Sequence, residues 1–467
     1  MNIELDNPVF ELISRASLNK GLSSYVIGGF VRDGLLKRPS KDIDILVVGS
    51  GIELATEVAR LTGQERNLAV FKNFGTAMIR YKDLELEFVG ARKESYRSDS
   101  RKPIVEDGTF EDDIARRDFT INTLAIDLSD HNKLIDHYNG LEDLNQGVLR
   151  TPLEPGQTFS DDPLRMMRGI RFASQLNFTI EPNSLKAISL NASRIKIISY
   201  ERIRDELNKI ILSPRPSVGF KLLFDTGLLA LIFPEMVALY GVETINGKSH
   251  KDNFYHTLEV LDNVSTVSDD LWLRWAAVLH DIAKPMTKRF DKEIGWTFHG
   301  HEDKGARMVP RIFKHFHLPL NEHMRFVEKL VLLHLRPIVL AKETVSDSAV
   351  RRLLFEAGDD IDALMQLCHA DITTKNEYKA KKYRDNFELV KSKIVDVEKR
   401  DNIRNWQPPV SGHDIMEAFH ISAGPEIGIL KNFIREAILE GEILNQREFA
   451  LALLYKKGKE MGLTLFI

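Results

Sequence analysis

The run YVIGGFVRDGLLKRPSKDIDILVVG, Tyr25 to Gly49, decides how the N-terminal part of this chain is read. Tyr25-Val26-Ile27 is a short β-rich run, and Gly28-Gly29 breaks it. Phe30 to Leu36 reads as a helix, and Ile43 to Val48 is a second β-rich run. Side chains alternate along a strand, so Asp42 and Asp44 share one face. Two carboxylates so placed repel each other unless a cation sits between them. Mg²⁺ suits that role, because it takes oxygen ligands and leaves positions for phosphate oxygens. Two such ions would clamp the attacking and leaving oxygens of a phosphoryl transfer. Gly28 and Gly29 let the backbone approach a bulky anion, and Arg32 adds charge. Alone, Asp-x-Asp is an ordinary solvated strand edge; its combination with the glycine pair is far more specific.

Outward from this run the same texture continues. Ile52 to Leu61 reads as a helix. Ala77 to Tyr81 and Leu84 to Val89 read as strands joined at Lys82-Asp83. Glu87 is a candidate third carboxylate, with a plain surface glutamate as the alternative. Strands and helices mix through about residue 150, so the expected fold class is an α/β head, a mixed sheet with flanking helices. Beyond Thr151 strand signals fade, and all-α neck, His-rich and tail domains are expected at 151–245, 250–375 and 376–467. Gly241 to Lys251 reads as a linker, Trp296 to Gly300 as a hairpin tip, and Gln407 to Gly412 as the break before the last helices.

The chain has 467 residues, 43% of them hydrophobic, which is enough for several buried cores. One cysteine, Cys368, excludes an internal disulfide and a cysteine metal cage, and fits a reducing cytoplasm. Met1 to Glu11 has no apolar core of the kind a leader needs, and no apolar run reaches membrane-spanning length. No obligate protein partner is evident. The net charge of −4 means that any nucleic-acid site is a local patch. Lys186 to Lys221 holds eight Lys/Arg against three Asp/Glu, and Lys375 to Arg404 ten against six. Arg92 to Lys102 is also basic and reads as a mobile loop. Solvated helix faces explain most such runs.

The run Val26 to Gly49 resembles the first motif of the tRNA nucleotidyltransferase and bacterial poly(A) polymerase family, within the polymerase β superfamily. RRDFTIN, Arg116 to Asn122, is similar to the second motif; DDPLRMMRGIRF, Asp161 to Phe172, to the nucleotide-recognition motif; and SYERI, Ser199 to Ile203, to the motif after it. The four stand in the family's order. Lys37 replaces a usual glycine and Asp161 a usual glutamate. The resemblance implies magnesium at Asp42 and Asp44, with tRNA, ATP and CTP as partners and addition of C, C and A to a tRNA 3′ end. Poly(A) addition, or C-only or A-only addition, shares these motifs.

Asp162, Arg165, Arg168 and Arg171 recur every third residue, which places them along one side of a helix. Cytosine and adenine both present an amino donor beside a ring-nitrogen acceptor; uracil and guanine present the reverse. A carboxylate next to a guanidinium, Asp162 with Arg165, matches the first pair and opposes the second. Each mispaired polar group in a dry pocket costs about 1–3 kcal/mol. Arg117, Arg168 and Arg171 are candidate triphosphate ligands or pocket-orienting groups. Asp118 and Asn122 are candidates to fix the ribose or the motif's own loop. The alternative is an Asp–Arg ladder on an exposed helix.

Several of the 14 histidines fall between His256 and His334. His256, His280, Asp281 and Asp371 resemble the ligand set of the HD phosphohydrolases, which implies a divalent metal such as Mn²⁺ or Ni²⁺. His301 and His334 are candidates for a second ion, and His299 is a weaker one. A bound metal there would supply hydroxide to a phosphoester. A further alternative is therefore an HD phosphohydrolase whose head only binds RNA.

Overall fold

The computed structural model describes residues 5, 7–97, 100–130, 133–340, 346–374, 376–401, 404 and 406–465. It divides into two compact units, residues 1–237 and 238–467.

The first unit opens with α1 (Pro8–Lys20) and β1 (Ser23–Ile27), followed by α2 (Gly29–Leu35), β2 (Asp42–Val48) and α3 (Gly51–Thr62). Next come β3 (Leu68–Phe71), β4 (Thr76–Tyr81) and β5 (Leu84–Gly90). A hairpin of β6 (Arg92–Arg97) and β7 (Ser100–Asp107) leads to α4 (Phe110–Ala115), then β8 (Ala125–Asp127) and β9 (Lys133–Ile135). Seven strands form one mixed sheet in the order β3-β4-β5-β2-β1-β8-β9. β2 and β5 run parallel and the other neighbours antiparallel. The apolar positions of β2, Ile43 and Ile45 to Val47, are buried, while Asp42 and Asp44 stay on the wetter face. Ser50 caps α3 at its start, and Gly63 ends it in the left-handed conformation.

Lys37 stands in the turn before β2 at φ +56°, a left-handed conformation that costs a side-chain-bearing residue but not glycine. The basic Arg92–Lys102 segment, expected as a loop, is instead the β6–β7 hairpin, with Arg92 opposite Asp107 and Glu94 opposite Val105. Its polar composition hides a strand that a two-stranded ladder supplies. Residues 98–99 of it, and Lys375 of the second basic stretch, lie outside the described residues.

Helices α5 (Gly140–Gln146), α6 (Pro155–Asp161), α7 (Leu164–Leu176), α8 (Pro182–Asn191) and α9 (Tyr200–Ile211) follow the sheet. A Cβ at Gly169 would lie 2.8 Å from the Phe119 ring, so this glycine brings α7 onto the 116–122 segment.

The second unit is mainly helical. Helices 253–265, 271–279, 301–315, 322–333 and 361–370 enclose a core with Trp275, Phe313 and Phe316. A 25-residue helix, Glu377–Asp401, and helices 412–419, 425–440 and 447–460 complete the described chain. The expected linker at 241–251 is a small hairpin turning at Asn246-Gly247, both with positive φ. Trp296 belongs to the second strand of another hairpin, Arg289–Asp291 with Gly295–Thr297. Among the described residues, no helix is long and apolar enough to cross a membrane.

Candidate functional site

An open cleft of about 700 Å³ lies in the first unit, lined by Asp44, Glu87, Arg117, Asp118, Asp162, Arg165 and Arg168 among others. β2 and β5 are parallel neighbours in the register Asp44 to Glu87, which sets these two carboxylates side by side. Burial raises both above the usual carboxylate range, and the charge of Asp44 raises Glu87 further. Arg117 opposes the shift on Asp44. Asp42 is exposed at the start of β2, outside the cleft lining, yet its charge also reaches Asp44. Asp44 and Glu87 thus put two carboxylates on adjacent strands, oxygen donors of the type a divalent cation takes.

The Gly28 N–H is taken up by the fold, donating to the Leu124 carbonyl at 3.2 Å. Its role is space. At φ +80°, a Cβ here would lie 2.9 Å from Arg117 Nη1 and 3.4 Å from Asp44 Oδ2. The missing side chain lets the guanidinium approach the carboxylate. Gly29 begins α2 and lies outside the cleft lining.

Arg32 is buried and engaged: it donates to Asp33 Oδ1 and Oδ2 and, at 2.8 Å, to Asn122 Oδ1. Asn122 in turn donates to Asp118 Oδ1 at 2.8 Å, and Arg168 Nε donates to Asp118 Oδ2 at 2.7 Å. Burial alone would raise Asp118; the Arg168 charge and these hydrogen bonds outweigh it and hold the carboxyl well below its usual range. Arg32 and Asn122 thus brace the motif's own loop, whereas Asp118 and Arg168 face the cleft.

Asp162 is not on the expected helix face. α6 ends at Asp161, Asp162 is extended at φ −129°, and α7 starts at Leu164 because Pro163 separates the two helices. Asp162 Oδ1 accepts from the Leu164 N–H at 3.1 Å, and Arg165 donates to the carbonyls of Thr158 and Arg116. The pair still lines one wall of the cleft. Arg171 departs from expectation. It turns away from the cleft to Glu206 of α9 at 3.1 Å, and burial lowers its pKa to about 10. It joins α7 to α9 rather than facing a triphosphate.

Asp113, Arg92 and Arg202 carry site chemistry that the motifs did not assign. Asp113 is fully buried and pairs with both Arg116 and Arg117, fixing their direction. Arg92 and Arg202 line the cleft. Asp113 is signalled only by its spacing of three and four residues before the two arginines, as on one helix turn.

A second cluster lies wholly in the second unit. His256 Nε2 is 2.9 Å from Asp371 Oδ1 and 3.4 Å from Asp281 Oδ2. His280 Nε2 is 3.3 Å from Asp281 Oδ2. On the other oxygen, His301 Nε2 is 3.2 Å and His334 Nε2 3.9 Å from Asp281 Oδ1. His280, His301 and His334 each place Nδ1 within hydrogen-bond distance of a backbone carbonyl, of Ala277, Phe298 and Val331, which directs Nε2 inward. His280 Nε2 is buried without a hydrogen-bond partner. Two three-residue groups result, His256–His280–Asp371 and Asp281–His301–His334. An orphaned imidazole nitrogen beside carboxylate oxygens fits a divalent ion. His299 belongs to neither group.

Three family descriptions match in order: "Poly A polymerase head domain" over residues 24–150, "Probable RNA and SrmB-binding site of polymerase A" over 177–239, and "HD domain" over 253–375. The chain is 32% identical over 381 residues to a multifunctional CCA protein of Shewanella frigidimarina, covering 77% of this chain and 86% of that one. The chain belongs to the tRNA nucleotidyltransferase and poly(A) polymerase family. This nucleotidyltransferase is also 31% identical over 348 residues to an A-adding tRNA nucleotidyltransferase of Deinococcus radiodurans, covering 73% of this chain and 77% of the relative. Its fold is that of the Bacillus stearothermophilus CCA-adding enzyme solved with CTP, with a TM-score of 0.66 at 22% identity over 98% and 99% of the two chains. The family uses a divalent metal, and the two residue groups of the second unit offer ligands for one.

Proposed function

We propose that the chain is a CCA-adding tRNA nucleotidyltransferase, adding C, C and A to the tRNA 3′ end from CTP and ATP and releasing pyrophosphate. The observation that carries this reading is the meeting of the Asp44–Glu87 carboxylates and the Asp162–Arg165 pair in one cleft. Asp42, Asp44 and Glu87 would hold Mg²⁺, which when bound lowers the pKa of a hydroxyl and screens phosphate charge. The RNA 3′-oxygen attacks the α-phosphorus of the nucleotide. Arg117 and Arg168, held by Asp113 and Asp118, face the departing pyrophosphate. Asp162 accepts from the amino group of C or A, and Arg165 donates to the ring nitrogen. In this reading the work divides among a head at 1–150, a neck at 151–245, an HD domain at 250–375 and an RNA-binding tail at 376–467. The setting is the cytoplasm. The test is extension of tRNA lacking its end with each NTP singly. CTP giving two additions and ATP one more supports CCA addition; ATP acting only on ends that already carry CC marks an A-adding enzyme, and a long A tail a poly(A) polymerase.

The orphaned His280 Nε2 favours a second reading, metal-dependent phosphoester hydrolysis in the HD domain. An ion held by His256, His280, Asp281 and Asp371, Mn²⁺ or Ni²⁺ as the HD resemblance implies, would supply hydroxide. Release of phosphate from 2′,3′-cyclic or terminal phosphates, with and without chelator, tests it.

A further inference from the structure

Phe71 and Phe74 are 46% and 71% exposed, yet both line the head cleft. Phe71 ends β3 and Phe74 closes the tight turn 72–74 that leads to β4, with the exposed Lys72 and Asn73 between them. Among the described residues neither ring stacks on another ring or lies under a cation. No core needs them, and a phenylalanine left in water at the mouth of a charged cleft has unspent apolar surface. Their position in the sheet gives them a task. The strand order places β3 and β4 on one side of Glu87 (β5) and Asp44 (β2), and Gly28, with Arg117 beside it, at the end of β1 on the other side. Arg165 is tied to that second side through the Arg116 carbonyl. The carboxylates therefore stand between an arginine-rich end and an aromatic end. The arginine end suits a triphosphate. The reacting hydroxyl must then arrive from the aromatic end, and it arrives on a single-stranded RNA terminus. Exposed aromatic faces with an interleaved cation are how proteins hold single-stranded bases without reading their identity. A primer whose last base changes from one addition to the next needs that indifference.

We infer that Phe74, together with Phe71, is the stacking platform for the terminal base of the RNA primer. This rests on the polymerase reading of the same cleft. Phe74 is a binding residue, and its contribution appears in RNA affinity rather than nucleotide affinity.

The test compares Phe74→Ala, Phe74→Leu, Phe74→Trp and Phe71→Ala in the full chain, with tRNA lacking its end and with CTP. Phe74→Ala and Phe74→Leu are expected to raise the KM for tRNA about tenfold and leave the KM for CTP within about twofold. Phe74→Trp is expected to retain wild-type values. A 2-aminopurine at the RNA 3′ terminus should be quenched on binding the wild type and remain bright with Phe74→Ala. Leucine substituting fully for phenylalanine would overturn the inference, since apolar bulk alone would then suffice. A rise in the KM for CTP instead of tRNA would also overturn it, placing the rings at the incoming nucleotide. A wild type that extends no RNA would defeat the polymerase reading itself, a result separable from any variant's.

Discussion

The head cleft and the histidine cluster both gather carboxylates, and they hold them in opposite states. In the head, burial raises Asp44 and Glu87, the charge of Asp42 adding to the first shift and that of Asp44 to the second, with Arg117 and Arg92 giving partial relief. In the second unit, burial would likewise raise Asp281 and Asp371, but His256, His280, His301 and Lys284 overwhelm it and both carboxyls fall well below their usual range. The histidines share the cost: His280 is raised by its carboxylate neighbours, whereas burial and the His280 charge bring His334 down to about 4. An open cleft can leave its negative charge uncompensated, because solvent and an arriving nucleotide with its cation complete it. A closed cluster has to neutralise itself from its own side chains.

The widest separation comes from crossing the two. Asp44→Ala should lower nucleotide incorporation by about 10³-fold or more while metal bound in the second unit stays. A His280→Ala, Asp281→Ala chain should lose copurifying divalent metal, measured by elemental analysis, and keep incorporation within about twofold. Metal content falling with Asp44→Ala alone would erase the distinction.

Asp162→Ala should cut CTP and ATP incorporation by roughly 10–100-fold and relax discrimination against UTP and GTP. Unchanged selectivity would remove Asp162 from base choice. A smaller loss, about tenfold in kcat, is expected for Gly28→Ala, whose Cβ would displace the Arg117 guanidinium. Arg117→Lys in the same background, with a slimmer head group, should recover part of it if crowding is the cause.

The smallest effect separates stability from catalysis. The folded-state pKa of Asp118 lies below its unfolded value, so its contribution is fully present above the unfolded value near 3.8 and is lost as pH falls below it. Asp118→Asn should lower the urea midpoint at pH 7, by roughly 1–3 kcal/mol in stability, and show a shallower decline between pH 4 and 2 than the wild type. Parallel declines would show that Asp118 does not carry the acid sensitivity of this unit.

Much of this was legible in the residues. Short β-rich runs broken at Gly28-Gly29 and at Lys82-Asp83 placed β1, β2, β4 and β5, and alternation put Asp42 and Asp44 on one face of β2, as the sheet bears out. The His-Asp pair with its flanking histidine and aspartate marked the second cluster. Less legible was direction. Arg32 and Arg171 look like phosphate ligands by type, yet Asp33, Asn122 and Glu206 absorb them. Asp162 shares the spacing of the arginines after it, yet Pro163 takes it off their helix.

The chain's own order of residues determined which groups sit on which strand and where each helix starts and stops, because backbone alternation, capping and proline are local. Only the folded sheet decided that Asp44 lies beside Glu87, that Gly28 makes room for Arg117, and that Phe71 and Phe74 line the same cleft as the carboxylates. Strand order and the partner each buried charge finds are settled by contacts between distant segments, and no local pattern encodes them.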